Sequence, residues 1–264
     1  MGSIIGILTD FGIADAYIAS MKGIILEMNP SAIIVDVAHS LPKFNIRYAA
    51  FILASAYKFF PKGTIFVGVV DPGVGSAREP IVLKTKNYYF VGPNNGLFTI
   101  VADRDGIETI RVITNKAFMR EKISPTFHGR DIFAPTAAML SLGAKVEDAG
   151  PELPLERFVR LDIGRPIIEE NRIIGEVLVV DSFGNIITNI MGSEFPFKLG
   201  DEVIVRIGEK KIKTKFLRTY HDANLGDYLV LIGSHEFVEI AQCEGCAACN
   251  LKVKEGVKVI IEKA

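Results

Sequence analysis

The chain has 264 residues, a formal net charge of −1 and a pI near 6.5. Its length suits two domains of unequal size, and its balanced charge argues against a surface that binds nucleic acid or an anionic membrane. The apolar runs are too short to cross a bilayer and the first residues lack a signal-peptide pattern, so we expect a cytoplasmic protein. The single glutamine and the lack of tryptophan are typical of a thermophile-like composition.

Residues 1–164 are predicted to form an α/β domain, because short β-branched runs alternate with amphipathic helical stretches. The predicted strands cover residues 4–8, 32–37 and 64–70, and a hairpin is predicted from residues 81–85 and 88–91. The predicted helices cover residues 15–28, 45–60 and 131–142. Asp15 and Asn45 are placed to cap the first two helices, and we interpret Arg130 and Asp131 as charges at the start of the third.

Residues 165–264 are predicted to form a smaller all-β domain, because helical periodicity disappears after a joint at residues 162–166. Short β-branched runs are separated there by Gly, Asn and Asp turns, which is typical of a barrel. The predicted strands cover residues 173–180, 202–207, 211–216, 228–232 and 257–262.

Three predicted strands of the first domain run directly into an aspartate, namely Asp10, Asp36 and Asp71. In open α/β sheets, ligands bind outside the carboxyl ends of the strands. Asp10 lies too far before the first helix to cap it, so its carboxylate is free to bind a ribose diol. We interpret Asp36, like Asp15, as a turn or cap residue.

The segment from Asp71 to Arg78 contains two glycines that allow a ligand to approach the backbone closely. It lacks the spacing and the lysine of phosphate-binding loops. Asp71 and Arg78 therefore form either a structural salt bridge or part of a polar site. His128, in a loop before the third helix, would complete such a site as a general base or proton carrier, although an isolated loop histidine is more often inert.

Two further segments allow two interpretations each. The run from Asp181 to Asn185 predicts a hairpin turn, but Asn185 would also suit the edge of a nucleobase and Asp181 an ammonium group. All the cysteines lie in one short run, Cys243, Cys246 and Cys249. They suggest either three ligands to a metal or a loop with small thiols and one disulfide. We favour the second interpretation and expect no metal, because there is no fourth cysteine and no histidine at ligand spacing.

Taken in order, these segments resemble the S-adenosyl-L-methionine (SAM) hydroxide adenosyltransferase family, whose members hydrolyse SAM to adenosine and methionine. The family is homologous to fluorinase and chlorinase. The matching motifs are residues 9–12, 71–75, 93–96, 128–131, 181–185 and 239–241. The resemblance implies an N-terminal α/β sandwich domain, a C-terminal β-barrel and a homotrimer with active sites between subunits. It also implies SAM as substrate, no cofactor, and adenosine as a ligand that co-purifies.

The resemblance further implies a role for individual residues. The residues that activate water would be Asp71, Arg78 and His128. Asp10 would bind the ribose, with Phe44 and Asn94 beside it. Adenine would be bound by Phe183, Asn185 and Gln242. The methionine end would be bound by Asp181, Ser234 and Glu239.

The nearest alternative functions are a SAM-dependent halogenase and a SAM- or adenosine-binding protein without turnover. The halogenases carry Tyr in place of Asp71 and Tyr-Ser in place of His128-Gly129. An aspartate would repel a halide, so this chain is predicted to be a hydrolase. His235 stands where the halogenases have an arginine for the methionine carboxylate.

Overall fold

A computed structural model describes residues 3–264, and the chain divides into two compact units, Met1–Leu161 and Asp162–Ala264. Each unit has its own core of buried apolar side chains. The first unit is α/β and the second is a barrel-like β-sheet, so the predicted fold class is confirmed. Within residues 3–264, no helix is long and apolar enough to span a membrane.

The first unit is built on a six-stranded mixed sheet. Its strands are β1 (Ile4–Thr9), β2 (Ile33–Ala38), β3 (Ile65–Val69), β4 (Pro80–Thr85), β5 (Tyr89–Pro93) and β6 (Ile107–Val112). Its α-helices are α1 (Tyr17–Met28), α2 (Ile46–Ala56), α3 (Thr99–Asp105) and α4 (Ala134–Ser141). The strand order is β2-β1-β3-β5-β4-β6, with β2, β1, β3 and β5 parallel and β4 antiparallel to both of its neighbours.

The centre of this sheet is apolar on both faces, as expected for parallel strands covered by helices. Ile5, Ile7 and Leu8 of β1 are all buried. On one face the core includes Met21 of α1 and Ala137 of α4, and small residues such as alanine let packed elements approach closely. Because β1 and β3 lie side by side and parallel, their carboxyl ends meet at one edge, which brings the segments after both strands to the same side of the sheet.

One expectation about helix starts is wrong, and two are confirmed. Helix α1 begins at Tyr17 after Ala16, so Asp15 does not cap it. Asn45 does cap α2, and its side chain accepts a hydrogen bond from the Tyr48 amide. Helix α4, which corresponds to the helix predicted over residues 131–142, is preceded by a π-helical turn, Gly129–Phe133. Asp131 in this turn is fully buried. Asp131 is thus a charge at the start of this helical segment, as predicted, and Arg130 and the Ser124 amide both donate to its buried carboxylate.

The second unit is an antiparallel sheet. Its strands are β7 (Ile167–Glu169), β8 (Arg172–Val180), β9 (Ile186–Met191), β10 (Glu202–Ile207), β11 (Lys210–Lys215), β12 (Tyr228–Ile232), β13 (Phe237–Gln242) and β14 (Lys258–Lys263), and its helix is α5 (Ala247–Leu251). The order is β11-β10-β14-β8-β9-β13-β12, with β7 paired to β8. A bridge between Phe216 and Val230 links the residue after β11 to β12, so the sheet nearly closes on itself.

Candidate active site

Asp71 and Arg78 are joined side-on at the carboxyl end of β3. The Arg78 Nε donates to Asp71 Oδ1 at 3.0 Å, and Nη2 donates to the other carboxylate oxygen. Only 5% of the Asp71 side chain and 10% of the Arg78 side chain are exposed. The salt bridge that the sequence left as one alternative is thus present, and it is shielded from water enough to be stronger than a surface pair.

His128 lies against this pair, because two loops approach each other closely. Nη2 of Arg78 lies 2.8 Å from Nδ1 of His128. Gly75 has φ +80°, and a Cβ built on it would lie 2.6 Å from the carbonyl oxygen of Pro125. Only glycine fits at that approach, so Gly75 allows the loop carrying Arg78 to reach the loop carrying His128.

The charge state of His128 follows from its partner. Arginine can only donate hydrogen bonds, so Nδ1 of His128 accepts, and the proton of the neutral ring is on Nε2. Burial lowers the pKa of His128 below its ordinary value, and the positive charge of Arg78 lowers it further, which outweighs the opposing effect of Asp71. His128 is therefore neutral at neutral pH, with Nδ1 occupied and Nε2 able to donate.

One donor in this cluster has no partner among the residues that the structure describes. Nη1 of Arg78 is buried and makes no hydrogen bond there. Buried polar atoms are nearly always hydrogen-bonded, and an exception in a polar cluster points to a ligand or a water molecule. An oxygen atom bound at Nη1 would be held by the same guanidinium group that holds Asp71, so Arg78 is able to orient a water molecule in this cluster.

Asp10, at the carboxyl end of the neighbouring strand β1, is 95% buried and fixes the loop at Phe44. Its Oδ2 accepts a hydrogen bond from the Phe44 amide at 2.7 Å, and Lys43 donates to its backbone carbonyl. Phe44 has φ +62° and an exposed ring. The other carboxylate oxygen of Asp10 accepts no hydrogen bond from residues 3–264, and a ribose hydroxyl is a suitable donor to it.

Asn94 and Asp36 are held by contacts within the fold. The Asn94 amide donates to the carbonyl of Arg157 and accepts from the amide of Val159, both at 2.9 Å. Asp36 pairs with Lys22 and His39. Within the described residues, no hydrogen bond or ion pair joins Asn94 to the Asp71 cluster, and its role as a substrate ligand stays a prediction.

The second unit contains a cavity of about 710 Å³, hereafter the carboxylate cavity. All six predicted binding residues of this unit line it: Asp181, Phe183, Asn185, Ser234, Glu239 and Gln242. The other lining residues are Tyr220, His235, Glu244, Gly245 and Cys246. The volume suits a ligand the size of a nucleoside with a side chain.

The turn from Asp181 to Asn185 forms one wall of this cavity. Asp181 Oδ1 accepts from the amides of Phe183 and Asn185, and its Oδ2 accepts from the Asn185 side chain at 3.0 Å. Gly184 has φ +85° and packs directly on Cys246. The predicted hairpin turn is therefore present, and its carboxylate and amide are held in place at the cavity.

Glu239 lines the cavity and is only 2% exposed. The hydroxyl of Tyr220 donates to its Oε1 at 2.5 Å, and Nε2 of His235 lies 3.3 Å from its Oε2. Burial raises the pKa of Tyr220, and the hydrogen bond to Glu239 raises it further, so the phenol stays protonated as a donor. The sequence did not single out Tyr220, since nothing in its local pattern indicates a contact with a strand 19 residues away.

The cysteine run lies beside the same cavity. Cys246 and Cys249 form a disulfide, and Cys243 is a free thiol. The disulfide takes two of the three thiols, so the run is not a three-thiolate metal site. In the part of the chain from residue 3 onward, no three His, Cys, Asp or Glu side chains are grouped as metal ligands.

Comparison with known proteins gives matches along nearly the whole chain. The SAM hydroxide adenosyltransferase N-terminal domain model matches residues 5–150, and the C-terminal domain model matches residues 175–260. The chain is 39% identical to the (R)-S-adenosyl-L-methionine hydrolase of Methanocaldococcus jannaschii, covering 90% of this chain and 88% of the relative. A fluorinase from Actinoplanes is more distant, at 26% identity over 99% of this chain and 98% of that enzyme.

The fold is shared with a solved structure as well. A crystal structure of an uncharacterized conserved protein from Thermotoga maritima superposes with a TM-score of 0.93, at 42% identity, over 98% of this chain and all of the other. The chain therefore belongs to the SAM hydroxide adenosyltransferase family.

Proposed function

We propose that this protein hydrolyses SAM to adenosine and methionine by attack of an activated water molecule on C5′. The observation that carries the proposal is the buried Asp71–Arg78–His128 cluster, in which Nη1 of Arg78 is a buried donor without a partner among the residues that the structure describes. The relatives named (R)-S-adenosyl-L-methionine hydrolase, at 36–39% identity over most of the chain, support the same reaction.

The substrate carries its own leaving group, because a sulfonium leaves with the electron pair of the C5′–S bond. The protein then has to hold water in line with C5′ and favour loss of its proton. In the proposed mechanism Arg78 orients the water or hydroxide, and Asp71 accepts the proton. His128 in its neutral form holds Nη2 of Arg78. We propose that no metal or cofactor takes part.

The remaining residues would bind the substrate. Asp10 is proposed to accept hydrogen bonds from the ribose diol, with Phe44 and Asn94 beside it. In the carboxylate cavity, Phe183, Asn185 and Gln242 would contact adenine. Asp181, Ser234 and Glu239 would hold the methionine end, where carboxylates suit an ammonium group.

The test is the rate of adenosine and methionine release from SAM by Asp71→Ala, assayed with EDTA and chloride present. We expect a loss of about 100-fold or more, because the proton acceptor is gone, with adenosine binding retained. Asp103→Ala, which removes an exposed carboxylate paired with Arg160 in the same unit, is the matched control and should keep full activity. Full activity of Asp71→Ala would refute the mechanism.

The same assay distinguishes the two alternative functions. The appearance of 5′-chloro-5′-deoxyadenosine in place of adenosine would show a halogenase. Intact SAM recovered from the wild-type protein after many hours would show a binding protein without turnover.

We also propose that the protein is a cytoplasmic homotrimer, with each active site shared between the first unit of one subunit and the second unit of the next. The residues proposed for chemistry, including Asp71 and His128, all lie in the first unit. Those proposed for the methionine end, including Glu239, all lie in the second. This division supports a shared site, and the cytoplasmic location rests on the sequence pattern.

A further inference from the structure

His39 is a buried histidine that the proposed mechanism does not use. It directly follows strand β2 and is only 7% exposed. Nδ1 of His39 lies 2.9 Å from Oγ1 of Thr9, and Nε2 lies 2.9 Å from Oδ1 of Asp36. Thr9 is the last residue of β1, which lies beside β2 and parallel to it. The ring therefore joins the carboxyl ends of two neighbouring strands.

Neither contact of the ring depends on its charge. Burial acts to raise the pKa of Asp36, but the hydrogen bonds from Lys22 and His39 outweigh it and the pKa is lowered. The Asp36 carboxylate is therefore ionised and can only accept, so Nε2 of His39 carries a proton and donates to it. Nδ1 accepts from the Thr9 hydroxyl when the ring is neutral and donates to its oxygen when the ring is protonated. The ring thus holds Thr9 in both forms.

The residues on both sides of Asp10 are tied to His39. Thr9 precedes Asp10, and its Oγ1, which the ring holds, also accepts from the Phe11 amide at 3.3 Å. The Gly12 amide donates to the backbone carbonyl of His39 at 2.8 Å. Because Asp10 lies between these anchored residues, His39 fixes the backbone that carries the Asp10 carboxylate.

The loop that begins at His39 returns to Asp10 at its other end. Oδ2 of Asp10 accepts from the Phe44 amide at 2.7 Å, and Lys43 donates to the Asp10 carbonyl. One carboxylate oxygen is thus used within the fold, and the other is the one left for a ribose hydroxyl. A binding group has to be held within about 0.5 Å of its productive position, and residues locked by their own hydrogen bonds achieve this.

We propose that His39 is a positioning residue for substrate binding, which acts through Thr9 to hold Asp10 in the orientation that accepts the ribose hydroxyls. Asp36 in turn holds the ring. This inference rests on the proposed function and deepens it, because it adds a buried histidine and a third strand-end aspartate to the site. The ribose hydroxyls do not react, so Asp10 binds them equally in the ground and transition states. Loss of the positioning should therefore raise KM and leave kcat nearly unchanged.

The experiment compares the affinities of wild type and His39→Gln for adenosine and for 2′,3′-dideoxyadenosine, which lacks the diol, by calorimetry. Glutamine places its amide near the position of Nε2 and nothing at that of Nδ1, so it keeps the contact with Asp36 and loses the one with Thr9. We expect adenosine to bind about tenfold more weakly, and dideoxyadenosine to change by less than about twofold. For SAM, KM should rise about tenfold with kcat within about twofold of wild type.

Three further variants assign the effect to the contact between His39 and Thr9. Thr9→Val removes the hydroxyl and should give the same selective loss, and the double variant with His39→Gln should lose no more than either single one. His39→Asn places an amide at the position of Nδ1 and should restore most of the adenosine affinity. Thr85→Val is the matched control, because it removes a buried threonine hydroxyl at the opposite edge of the same sheet, and it should leave both affinities unchanged.

Four results would overturn the inference. They are an unchanged adenosine affinity in folded His39→Gln or Thr9→Val protein, an equal loss for both nucleosides, a lowered kcat at unchanged KM, and equal binding of both nucleosides by the wild type. The last result would also refute the ribose role of Asp10. Hydrolysis itself is tested separately, by adenosine release from SAM by the wild type, so its failure is distinguishable from failure of this inference. Circular dichroism and thermal melting show whether each variant is folded.

Discussion

The protonation of His128 is set by its neighbours and, in the proposed mechanism, matters for activity. Burial and the charge of Arg78 lower its pKa. Protonation of Nδ1 would remove the acceptor that holds Nη2 of Arg78 and would place two positive charges 2.8 Å apart. The neutral form is therefore the one that keeps the cluster intact, and activity should fall as the pH drops through this lowered pKa.

The prediction is that His128 titrates below the ordinary histidine value of 6.5. Histidines labelled with ¹³C at Cε1 can be followed by NMR over a pH series, and the signal that disappears in His128→Gln identifies the residue. The kcat/KM for SAM should stay flat from neutral pH down to that midpoint and fall beneath it. A midpoint above 6.5 would contradict the assigned hydrogen bonds.

Only part of the candidate site was recognisable residue by residue. Asp71 and Arg78 fit a structural salt bridge as well as a reactive site, and only the three-dimensional contact with His128 joins all three. The family motifs identified these residues, but they gave no indication that Nη1 of Arg78 is buried without a hydrogen-bond partner in the described part of the chain. Tyr220 escaped detection because its function depends on a hydrogen bond to a distant buried strand, and such a contact leaves no local pattern.

At the scale of elements, the π-helical turn Gly129–Phe133 holds the loop that carries His128. Asp131 in this turn is fully buried and accepts from Arg130 and from the Ser124 amide. Burial acts to raise the pKa of Asp131, but these hydrogen bonds outweigh it and the pKa is lowered. The carboxylate is therefore ionised and ties both ends of the loop together.

We expect Asp131→Ala to reduce the free energy of unfolding by about 3 kcal/mol, because it breaks a buried, hydrogen-bonded ion pair. Asp103→Ala breaks an exposed pair in the same unit and should cost less than about 1 kcal/mol. Urea denaturation followed by circular dichroism measures both. Equal effects of the two substitutions would show that Asp131 does not hold the loop.

Strands and helices were predicted correctly where their hydrophobic pattern in the sequence is strong, and they were missed where it is weak. Strands β10 and β12, with their β-branched and apolar runs, match residues 202–207 and 228–232 as predicted. Strands β9 and β13 were missed because each contains polar residues that are buried in the fold, such as Thr188 and Glu239. The burial of Asp131 in the helical turn before α4 was not predicted, because a buried aspartate and a solvated one look the same in sequence.

For the whole molecule, the sequence changes from alternating strand and helix patterns to strand patterns alone. This change predicted an α/β domain followed by a β-barrel-like domain, and the fold class is confirmed. The strand order was beyond the sequence. Strand β4 pairs with β6 as well as with its hairpin partner β5, and β14 lies between β10 and β8; the pairings of β4 with β6 and of β14 with β8 and β10 join strands distant along the chain. Such pairings depend on packing of the whole sheet and have no local signal.

The proposed shared active site predicts that two impaired variants complement each other when the SAM concentration is well below KM. Asp71→Ala and Glu239→Gln are mixed, unfolded and refolded together, and SAM hydrolysis is measured. Random assembly of a cyclic trimer gives about a quarter of sites with both residues intact, so about a quarter of the wild-type activity should return. The separately refolded variants are the control. Failure of the mixture to exceed their sum would refute a site shared between subunits.

The backbone at Phe44 has a consequence for redesign. A φ of +62° is unfavourable for a residue with a side chain, by about 1–2 kcal/mol, and the Phe44 amide is held there by the Asp10 carboxylate at 2.7 Å. The proposed ribose ligand and the exposed aromatic ring are thus coupled through one hydrogen bond. An engineer who changes the carboxylate also frees the ring, so libraries that aim to broaden the accepted nucleoside should vary positions 10 and 44 as a pair.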